Sequence, residues 1–398
     1  MIKSINLKNY IETLESGKRP KGGASNSGVP SLGGEHINLN GGFNLQIDKL
    51  KFVPEEYFNS LSKGIIKKND ILIVKDGATT GKVAYVNEDF SLEKACINEH
   101  VFLVRPKKEI NPKYLFYYFF SNIGQREILK DFRGATVGGI SKEFIDIDMY
   151  IPKVDEQIEI IKILDKAKSL IDKRKEQIKA LDELVKSKFI EMFGDPIING
   201  KNYELKNLDE ICLKITDGTH NSPSNTTEGV PYVTAKHLKQ YGLDFYSEPT
   251  YVAIEDHEVI YKRCNPEKGD VLYIKDGATT GIAGINHYDF EFSMLSSLAL
   301  LKLNTNLINN YYLVNYLNND SVKDRIINDM VGGAIKRLTL MRIKNIKVVM
   351  PPIELQNQFA DFVKQVDKLK FEMEKSLKEL EDNFNSLMQK AFKGELFD

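Results

Sequence analysis

Cysteine is scarce in this chain of 398 residues. The three cysteines, Cys96, Cys212 and Cys264, lie far apart and form no CxxC pair. Among the six histidines, no two have the HxxxH spacing of a helical metal site. These patterns argue against a disulfide framework and against a zinc site built from thiolates or imidazoles. No metal-ligating residue is predicted.

Long apolar runs are also missing. No stretch approaches the roughly 18 to 20 apolar residues that a membrane-spanning helix needs. The first residues, MIKSINLKNYIETLESGKRP, lack the hydrophobic region of a signal peptide. We therefore expect a cytoplasmic protein with no membrane among its partners.

Catalytic motifs are absent as well. The segment GATTGK resembles a phosphate-binding loop, but only three residues separate Gly77 from Gly81, and Val83 follows the lysine where Ser or Thr is needed. There is no Gly-rich dinucleotide fingerprint, no Asp/Asn-Pro-Pro-aromatic methyltransferase motif and no G-x-S-x-G elbow. The sequence predicts a chain that is not an enzyme, has no catalytic residues and binds no cofactor.

The chain does contain an internal repeat. KDGATTG occurs at residues 75–81 and again at 275–281, and GVP at 28–30 recurs at 229–231. The offset of about 200 residues drifts little along the chain, which indicates a tandem duplication. At this length each copy can bury a core of its own.

Two segments have the periodicity of long helices. No Gly or Pro interrupts residues 155–193, and apolar residues recur every seven positions there and again over residues 359–387. Such heptads predict a coiled-coil seam. We expect the two helices to pair with each other antiparallel, which would relate the two halves by a pseudo-two-fold axis. Pairing with a different protein, or self-association as dimers, is the alternative.

The remaining segments indicate mixed α/β (α+β) globular domains. Short β-rich runs lie at 71–74, 82–86, 101–104, 271–274 and 298–303, and helical patterns at 112–120 and 309–318. The Asp-Gly of each KDGATTG motif is expected to form a hairpin turn between two strands. The predicted order is a domain at 1–150, a long helix at 151–196, a second domain at 197–350 and a second long helix at 351–398.

The order of these motifs is itself informative. Each half begins with a small-residue loop, SGKRPKGGASNSGVP at 16–30 and TDGTHNSPSNTTEGVP at 216–231. Each continues through the DGATTG turn and a Gly-rich loop, then through a Pro-containing link ending in Gln into the long helix, and the chain closes with LMQKAFKGEL. Over nearly its whole length, the chain resembles the DNA-specificity subunit of type I restriction-modification systems.

The resemblance implies a non-catalytic subunit whose two target-recognition domains each read one half of a split double-stranded DNA sequence, while the helices set the distance between the halves. It also implies binding of two modification subunits, which carry S-adenosylmethionine and methylate adenine, and recruitment of a restriction subunit that acts as translocase and nuclease. The links before the helices depart from the family's PPxxEQ pattern, so contact with modification subunits is expected to be subtype-specific.

Overall charge gives little support to DNA binding. Lys and Arg number 55 against 56 Asp and Glu, a net charge of −1. A protein that neutralises many phosphates alone would be more basic. We therefore expect weak DNA binding by the isolated chain, strengthened by its partners.

Candidate DNA contacts lie in three groups of loops. Basic side chains in the first small-residue loop suit phosphates or guanine edges, and polar side chains in its counterpart suit base edges. Side chains of the shared turn are identical in both halves, which fits a backbone or folding role better than base discrimination. The predicted DNA-binding residues are Lys18, Arg19, Lys21, Lys75, Thr79, Thr80, Arg133, Thr136, Thr216, Thr219, His220, Asn221, Lys275, Thr279, Thr280, Lys336 and Arg337.

Apolar positions on both helices extend beyond a single seam, so we expect surface for two copies of a modification subunit. The predicted partner-binding residues are Leu170 and Val363 on the helices and Gln157 and Gln356 at their beginnings. A tandem-repeat adaptor that binds protein without recognising DNA is the alternative function. A nuclease or methyltransferase fused to such domains would need a catalytic segment that the sequence lacks.

Overall fold

The computed structural model describes residues 4–130, 132–134, 138–239, 242–328 and 337–397. The chain divides into two compact units: unit 1 is Met1–Lys175 with Lys375–Asp398, and unit 2 is Glu176–Glu374. The boundary between the units falls inside both long helices, so each unit contains part of each helix. The domain limits predicted from the sequence follow the helices along the chain, whereas each compact unit also includes the helix parts that pack on it.

The elements of unit 1 are the strands β1 (Ser4–Asn6), β2 (Ile11–Ser16), β3 (Val29–Leu32), β4 (Phe52–Val53), β5 (Ile71–Val74), β6 (Val83–Tyr85), β7 (Cys96–Ile97), β8 (Val101–Pro106) and β9 (Asp148–Tyr150), and the helices α1 (Glu55–Asn59), α2 (Pro112–Phe120), α3 (Asn122–Lys130) and the first part of α4 (Val154–Phe193).

The elements of unit 2 are β10 (Glu204–Asn207), β11 (Cys212–Asp217), β12 (Val230–Val233), β13 (Leu238–Lys239), β14 (Gly242–Leu243), β15 (Tyr251–Val252), β16 (Val271–Ile274), β17 (Ala283–Ile285), β18 (Ser293–Met294), β19 (Leu298–Leu303) and β20 (Lys347–Met350), with helices α5 (Leu208–Ile211), α6 (Ile254–Arg263), α7 (Asn310–Asn318), α8 (Asp320–Asn328), α9 (Leu340–Lys344), the last part of α4 and the first part of α10 (Ile353–Lys393). The last part of α10 belongs to unit 1.

The main sheet of unit 1 is antiparallel in the order β2-β8-β5-β6. Strand β5 is apolar throughout because both faces of the sheet are covered. Ile71 and Ile73 point into a core shared with α2 and the long helices, whereas Leu72 and Val74 point into a second core. A second sheet, β4-β3-β7, is mixed, and β1 pairs with β9.

Unit 2 repeats this topology. Its main sheet runs β11-β19-β16-β17, its mixed sheet β15-β12-β18, and β10 pairs with β20. The alternation recurs too, since Val271 and Tyr273 face one core and Leu272 and Ile274 the other. The short β13-β14 pair of this unit corresponds to a single antiparallel bridge between Ile37 and Phe43 in unit 1. The mixed α/β class and the internal repeat predicted from the sequence are confirmed.

The KDGATTG motif forms the predicted hairpin turn, between β5 and β6 in unit 1 and between β16 and β17 in unit 2. In unit 1, Gly77 and Gly81 have φ of 96° and 89°, which explains why glycine stands at both positions. The Thr80 hydroxyl donates to the Gly77 carbonyl at 2.7 Å, and Thr280 repeats this bond at 2.7 Å. Thr80 and Thr280 therefore stabilise the turn itself.

Identical buried histidines close a second turn in each unit. The Gly33 backbone N–H donates to Nδ1 of His36 at 2.9 Å, and the Thr234 N–H donates to Nδ1 of His237 at 3.0 Å. Nε2 then lies 3.2 Å from the Lys49 carbonyl in unit 1 and 2.9 Å from the corresponding carbonyl in unit 2. Burial lowers the pKa of His237, which favours the neutral ring in this role.

Both long helices end at a glycine in the left-handed region, Gly194 with φ 80° and Gly394 with φ 77°. Inside unit 2 the helices run antiparallel, because Asp182 pairs with Lys370 at 2.6 Å while residues later in α4 meet residues earlier in α10, such as Phe189 and Phe359 with ring centroids 5.5 Å apart. In unit 1, Lys175 of α4 pairs with Glu381 of α10 at 2.7 Å. The predicted pairing between the helices is confirmed.

Candidate nucleic-acid interface

Three segments that are distant in the sequence meet in unit 1. They are the opening loop after β2, the segment between β7 and β8, and the KDGATTG turn after β5. Arg19 pairs with Glu99 at 2.7 Å, and the Lys75 backbone N–H donates to the His100 carbonyl at 2.8 Å. Sequence reasoning placed residues from the first and third segments in the interface, and the structure joins both of them to the middle segment.

A close backbone approach fixes the start of each opening loop. A Cβ on Gly17 would lie 1.9 Å from the Ile97 carbonyl oxygen, and one on Gly218 would lie 2.0 Å from the Met294 carbonyl oxygen. No side chain fits at either position. Each opening loop therefore begins in close contact with the equivalent backbone carbonyl of its own unit. This contact makes Gly17 and Gly218 equivalent positions in the two units.

The late Gly-rich loop also docks on the turn. The Ile140 N–H donates to the Lys75 carbonyl at 2.8 Å, and the Leu338 N–H donates to the Lys275 carbonyl at 3.0 Å. Arg337, which is exposed, lies with Nε 3.6 Å from Asp276. The equivalent loop of unit 1 carries the exposed Arg133. Two further predicted residues, Thr136 and Lys336, lie outside the described residues.

Side chains in unit 1 form a chain of polar contacts, which we call the unit 1 cluster (Arg19, Lys75, Asp76, Glu99 and His100). Glu99 pairs with Arg19 and lies 3.3 Å from Nε2 of His100, whose Nδ1 contacts Asp76. Lys75 lies 3.3 Å from Asp76 and 5.9 Å above the ring of Phe102. The cluster joins all three segments through side-chain contacts.

Unit 2 uses a different centre, which we call the unit 2 cluster (Asp217, His220, Arg263 and Lys275). The Asp217 carboxylate is 2 % exposed and accepts from Arg263 at 2.5 Å, with Lys275 at 3.4 Å and His220 Nε2 at 3.2 Å. Because Ser16 ends β2 where Asp217 ends β11, unit 1 lacks this carboxylate.

Asp217 also explains why the two lysines of the shared motif differ. The Lys275 side chain, between Asp217 and Asp276, is 9 % exposed, whereas that of Lys75 is 29 % exposed. The predicted DNA contact by Lys275 is therefore not supported.

Two other predicted DNA contacts are also ruled out by burial. Thr216 and Thr280 are buried, so neither side chain presents a surface to DNA. The predicted residues at exposed positions are Lys18, Arg19, Lys21, Arg133, His220, Asn221, Thr279 and Arg337, and Lys75, Thr79, Thr80 and Thr219 are partly exposed.

Gln157, Gln356 and Val363 do not face a partner. Gln157 accepts from the Asn111 N–H at 2.7 Å, and Gln356 accepts from the Asn309 N–H at 2.9 Å, while both amides are fully buried. Val363 belongs to the core of unit 2. A buried side chain cannot contact another subunit, so the partner-binding role assigned to these three residues is withdrawn. Leu170 is 48 % exposed on α4 and stays available.

A largely buried ion pair stands at the beginning of the strand that leads into the KDGATTG turn in each unit. Asp70, just before β5, accepts from Arg105 at 2.6 and 2.8 Å, and Asp270, just before β16, accepts from Lys302 at 2.8 Å. Burial raises the pKa of Asp70 and of Asp270, against the opposing effect of the cation. The pairs hold the strands that carry the turns.

Sequence reasoning missed Glu99, His100 and Arg263. The first two stand at residues 99–100, where the repeat has Ser296 and Ser297. This difference within an otherwise similar segment was the available signal. Arg263 gave none, because nothing local distinguishes it from a solvated arginine at the end of a helix.

No metal site emerges within the part of the chain that the structure describes, where no group of three His, Cys, Asp or Glu side chains could hold an ion. Likewise, none of the helices in the described ranges is long and apolar enough to cross a membrane.

Comparison with known proteins shows the family to which the chain belongs. The family model described as "Type I restriction modification DNA specificity domain" matches residues 11–181 and 200–382. The type I restriction enzyme MjaIX specificity subunit of Methanocaldococcus jannaschii is 24% identical over 372 residues, covering 86% of this chain and 81% of that protein. The MjaVIII specificity subunit of the same organism is 21% identical over 323 residues, covering 77% and 74%.

The fold agrees. A solved chain from work on complex assembly and conformational transition of the type I restriction-modification system superposes with a TM-score of 0.60 at 17% identity, covering 99% of this chain and 98% of that one. Two tandem recognition domains with these loops define a sequence-specific DNA-recognition protein. The chain belongs to the DNA specificity subunits of type I restriction-modification systems.

Proposed function

We propose that this chain is the non-catalytic subunit that gives a type I complex its target sequence, with unit 1 reading one half of a split site and unit 2 the other. The observation that carries the proposal is the repeated construction of the interface. In both units the late loop docks on the same turn, and the opening loop contacts the segment that bonds the lysine of that turn, while the exposed side chains differ. A shared frame with different side chains suits two readers of different sequences.

Domain exchange tests this proposal. Residues 1–150 are replaced by those of another family member, with Tyr114, Tyr117 and Tyr118 retained because these rings belong to the core that the long helices share. Methylome sequencing should then find one half of the methylated motif changed and the other half kept. Exchange of residues 200–350 is the matched control and should change the opposite half. A change of both halves by either exchange would contradict independent reading.

We also propose that the chain docks two modification subunits, which supply S-adenosylmethionine, and that a restriction subunit joins them. Leu170 supports a docking surface on α4, because it is a large apolar side chain on an exposed part of the helix, where a polar residue is expected if only solvent covers it. Leu170→Asp should weaken assembly in native mass spectrometry. Lys179→Asp, a charge change at another exposed position of α4, should assemble normally. Unchanged assembly of the Leu170 variant would remove this residue from the docking surface.

The long helices are proposed to set the spacing between half-sites. Phe189 and Phe193 lie in the core of unit 2, so an insertion near the end of α4 would damage that core. One heptad inserted after Lys175 and another after Glu374 keeps the seam and lengthens both helices where the units divide. The addition is about 10.5 Å, or about three base pairs. The spacer should grow by that amount, and an unchanged spacer in an active complex would contradict the proposal.

A further inference from the structure

The opening loops place one side chain of each unit at an equivalent position. Arg19 follows Gly17 by two residues, and His220 follows Gly218 by two residues. Both glycines are fixed by the same close backbone contact, so the two loops start alike. Both side chains are more than half exposed, at 58 % and 60 %. The position is shared, whereas the chemistry differs.

Each of these side chains is held by a carboxylate of its own unit. Nε of Arg19 lies 2.7 Å from Oε1 of Glu99, and Nε2 of His220 lies 3.2 Å from Oδ2 of Asp217. The carboxylates come from different places, Glu99 from the segment between β7 and β8 and Asp217 from the end of β11. Two unrelated carboxylates thus perform the same task, which points to a requirement at this position.

The carboxylates are in turn fixed. Glu99 is flanked by His100, which contacts Asp76 of the turn. Asp217 is almost fully buried and accepts a hydrogen bond from Arg263 at 2.5 Å. A side chain that is oriented through a fixed neighbour loses less conformational freedom when it binds. An exposed cation needs no such support merely to contact phosphate, for which a mobile side chain serves.

We propose that Arg19 and His220 are equivalent specificity-determining residues, one for each half-site, and that Glu99 and Asp217 are the residues that position them. This inference rests on the proposed function. With Nε directed to Glu99, the two Nη groups of Arg19 provide the pair of donors that matches O6 and N7 of guanine. With Nε2 directed to Asp217, His220 has one ring nitrogen, Nδ1, for a base edge.

The number of bonds sets the expected effects. Loss of a bidentate Arg–guanine contact relaxes discrimination by roughly 5- to 150-fold. Loss of the single contact by His220 relaxes it by roughly 2- to 10-fold. Arg19→Ala should therefore remove a guanine requirement at one position of one half-site. His220→Ala should weaken a preference at one position of the other half-site.

The test uses the full chain in complex with its modification subunits, with methylome sequencing of cells that express each variant. Glu99→Ala should relax the base preference at the same position as Arg19→Ala, but by a smaller factor. Glu99→Gln, which keeps an oxygen acceptor, should retain part of that base preference. A change in base preference is a readout that a purely structural role of Glu99 would not give. Lys21→Ala, an exposed cation of the same loop, should lower methylation evenly without altering the motif.

Where a variant complex no longer methylates, selection of bound sequences from a random DNA pool at low salt replaces the methylome, because it needs no catalysis. The inference is overturned if every position keeps its wild-type preference in Arg19→Ala, or if Arg19→Ala and His220→Ala relax the same half-site. It is also overturned if Glu99→Ala relaxes a different position from Arg19→Ala. A wild-type complex whose motif does not depend on this chain would instead overturn the proposed function.

Discussion

Replacing Gln356 by alanine tests whether this side chain ties the beginning of α10 to unit 2. Its amide oxygen accepts from the Asn309 N–H at 2.9 Å, and its amide nitrogen donates to the Pro351 and Leu307 carbonyls at 2.8 and 3.3 Å. The side chain is fully buried. Truncation therefore leaves at least one donor and one acceptor without a partner inside the protein.

The expected loss follows from these groups. Each buried polar group left unpaired costs about 1–3 kcal/mol. Water that enters the vacated space offsets part of the cost, so we expect unit 2 to lose about 3 kcal/mol of unfolding free energy. For a unit of this size, 1 kcal/mol shifts the melting temperature by about 2–4 °C, which gives a decrease of about 6–12 °C.

Differential scanning calorimetry of the full chain measures this shift. Gln358→Ala is the matched control, because Gln358 is the same residue type two positions further on and is exposed. A Gln356→Ala melting temperature equal to that of Gln358→Ala would refute the reasoning. If Gln356 contacted a modification subunit instead, the variant would keep its melting temperature and lose assembly in native mass spectrometry.

Three further predictions concern the frame of each unit. Burial lowers the pKa of His237 in the folded protein, so the unfolded chain takes up a proton more readily on acidification. The stability that this ring contributes above pH 6.5 should therefore be lost as the pH falls. A melting temperature of unit 2 that stays constant from pH 7.5 to 5.5 would contradict this. Gly218→Ala should cost about 1–3 kcal/mol in denaturant unfolding, whereas Gly200→Ala, with open space around it, should cost little. Arg105→Met should cost about 3–5 kcal/mol by leaving the buried Asp70 carboxyl without its cation, and adding Asp70→Asn should recover most of the loss, as a double-mutant cycle by calorimetry would show.

Local sequence patterns were sufficient for the strands and the turn. Strand β5 and strand β16 were predicted at their observed bounds because a short apolar run between turn residues has few other outcomes. The same patterns misplaced Gln157 and Gln356. A glutamine at the beginning of a helix reads as a surface residue, and only the tertiary approach of residues 109–111 and 307–309 shows that its amide is buried.

The interface shows the same limit. Lys75 and Lys275 stand in identical heptapeptides, so no local rule separates them, yet one is partly exposed and the other buried. The difference comes from Asp217, which precedes Lys275 by 58 residues in the chain and meets it only in the folded sheet. Exposure at a DNA-facing position therefore depends on partners that sequence periodicity does not reveal.

The contacts of the two units separate into those that build the frame and those that can vary. Several side chains that are identical in both units bind the backbone: Thr80 and Thr280 hold the turn, and the buried histidines and helix-start glutamines bond main-chain groups. The exposed side chain two residues after Gly17 or Gly218 pairs instead with a carboxylate side chain. Because backbone bonds do not depend on neighbouring side-chain identity, the frame tolerates a change from arginine to histidine at that position. Specificity can then change without loss of fold, provided that a carboxylate stands beside the new side chain.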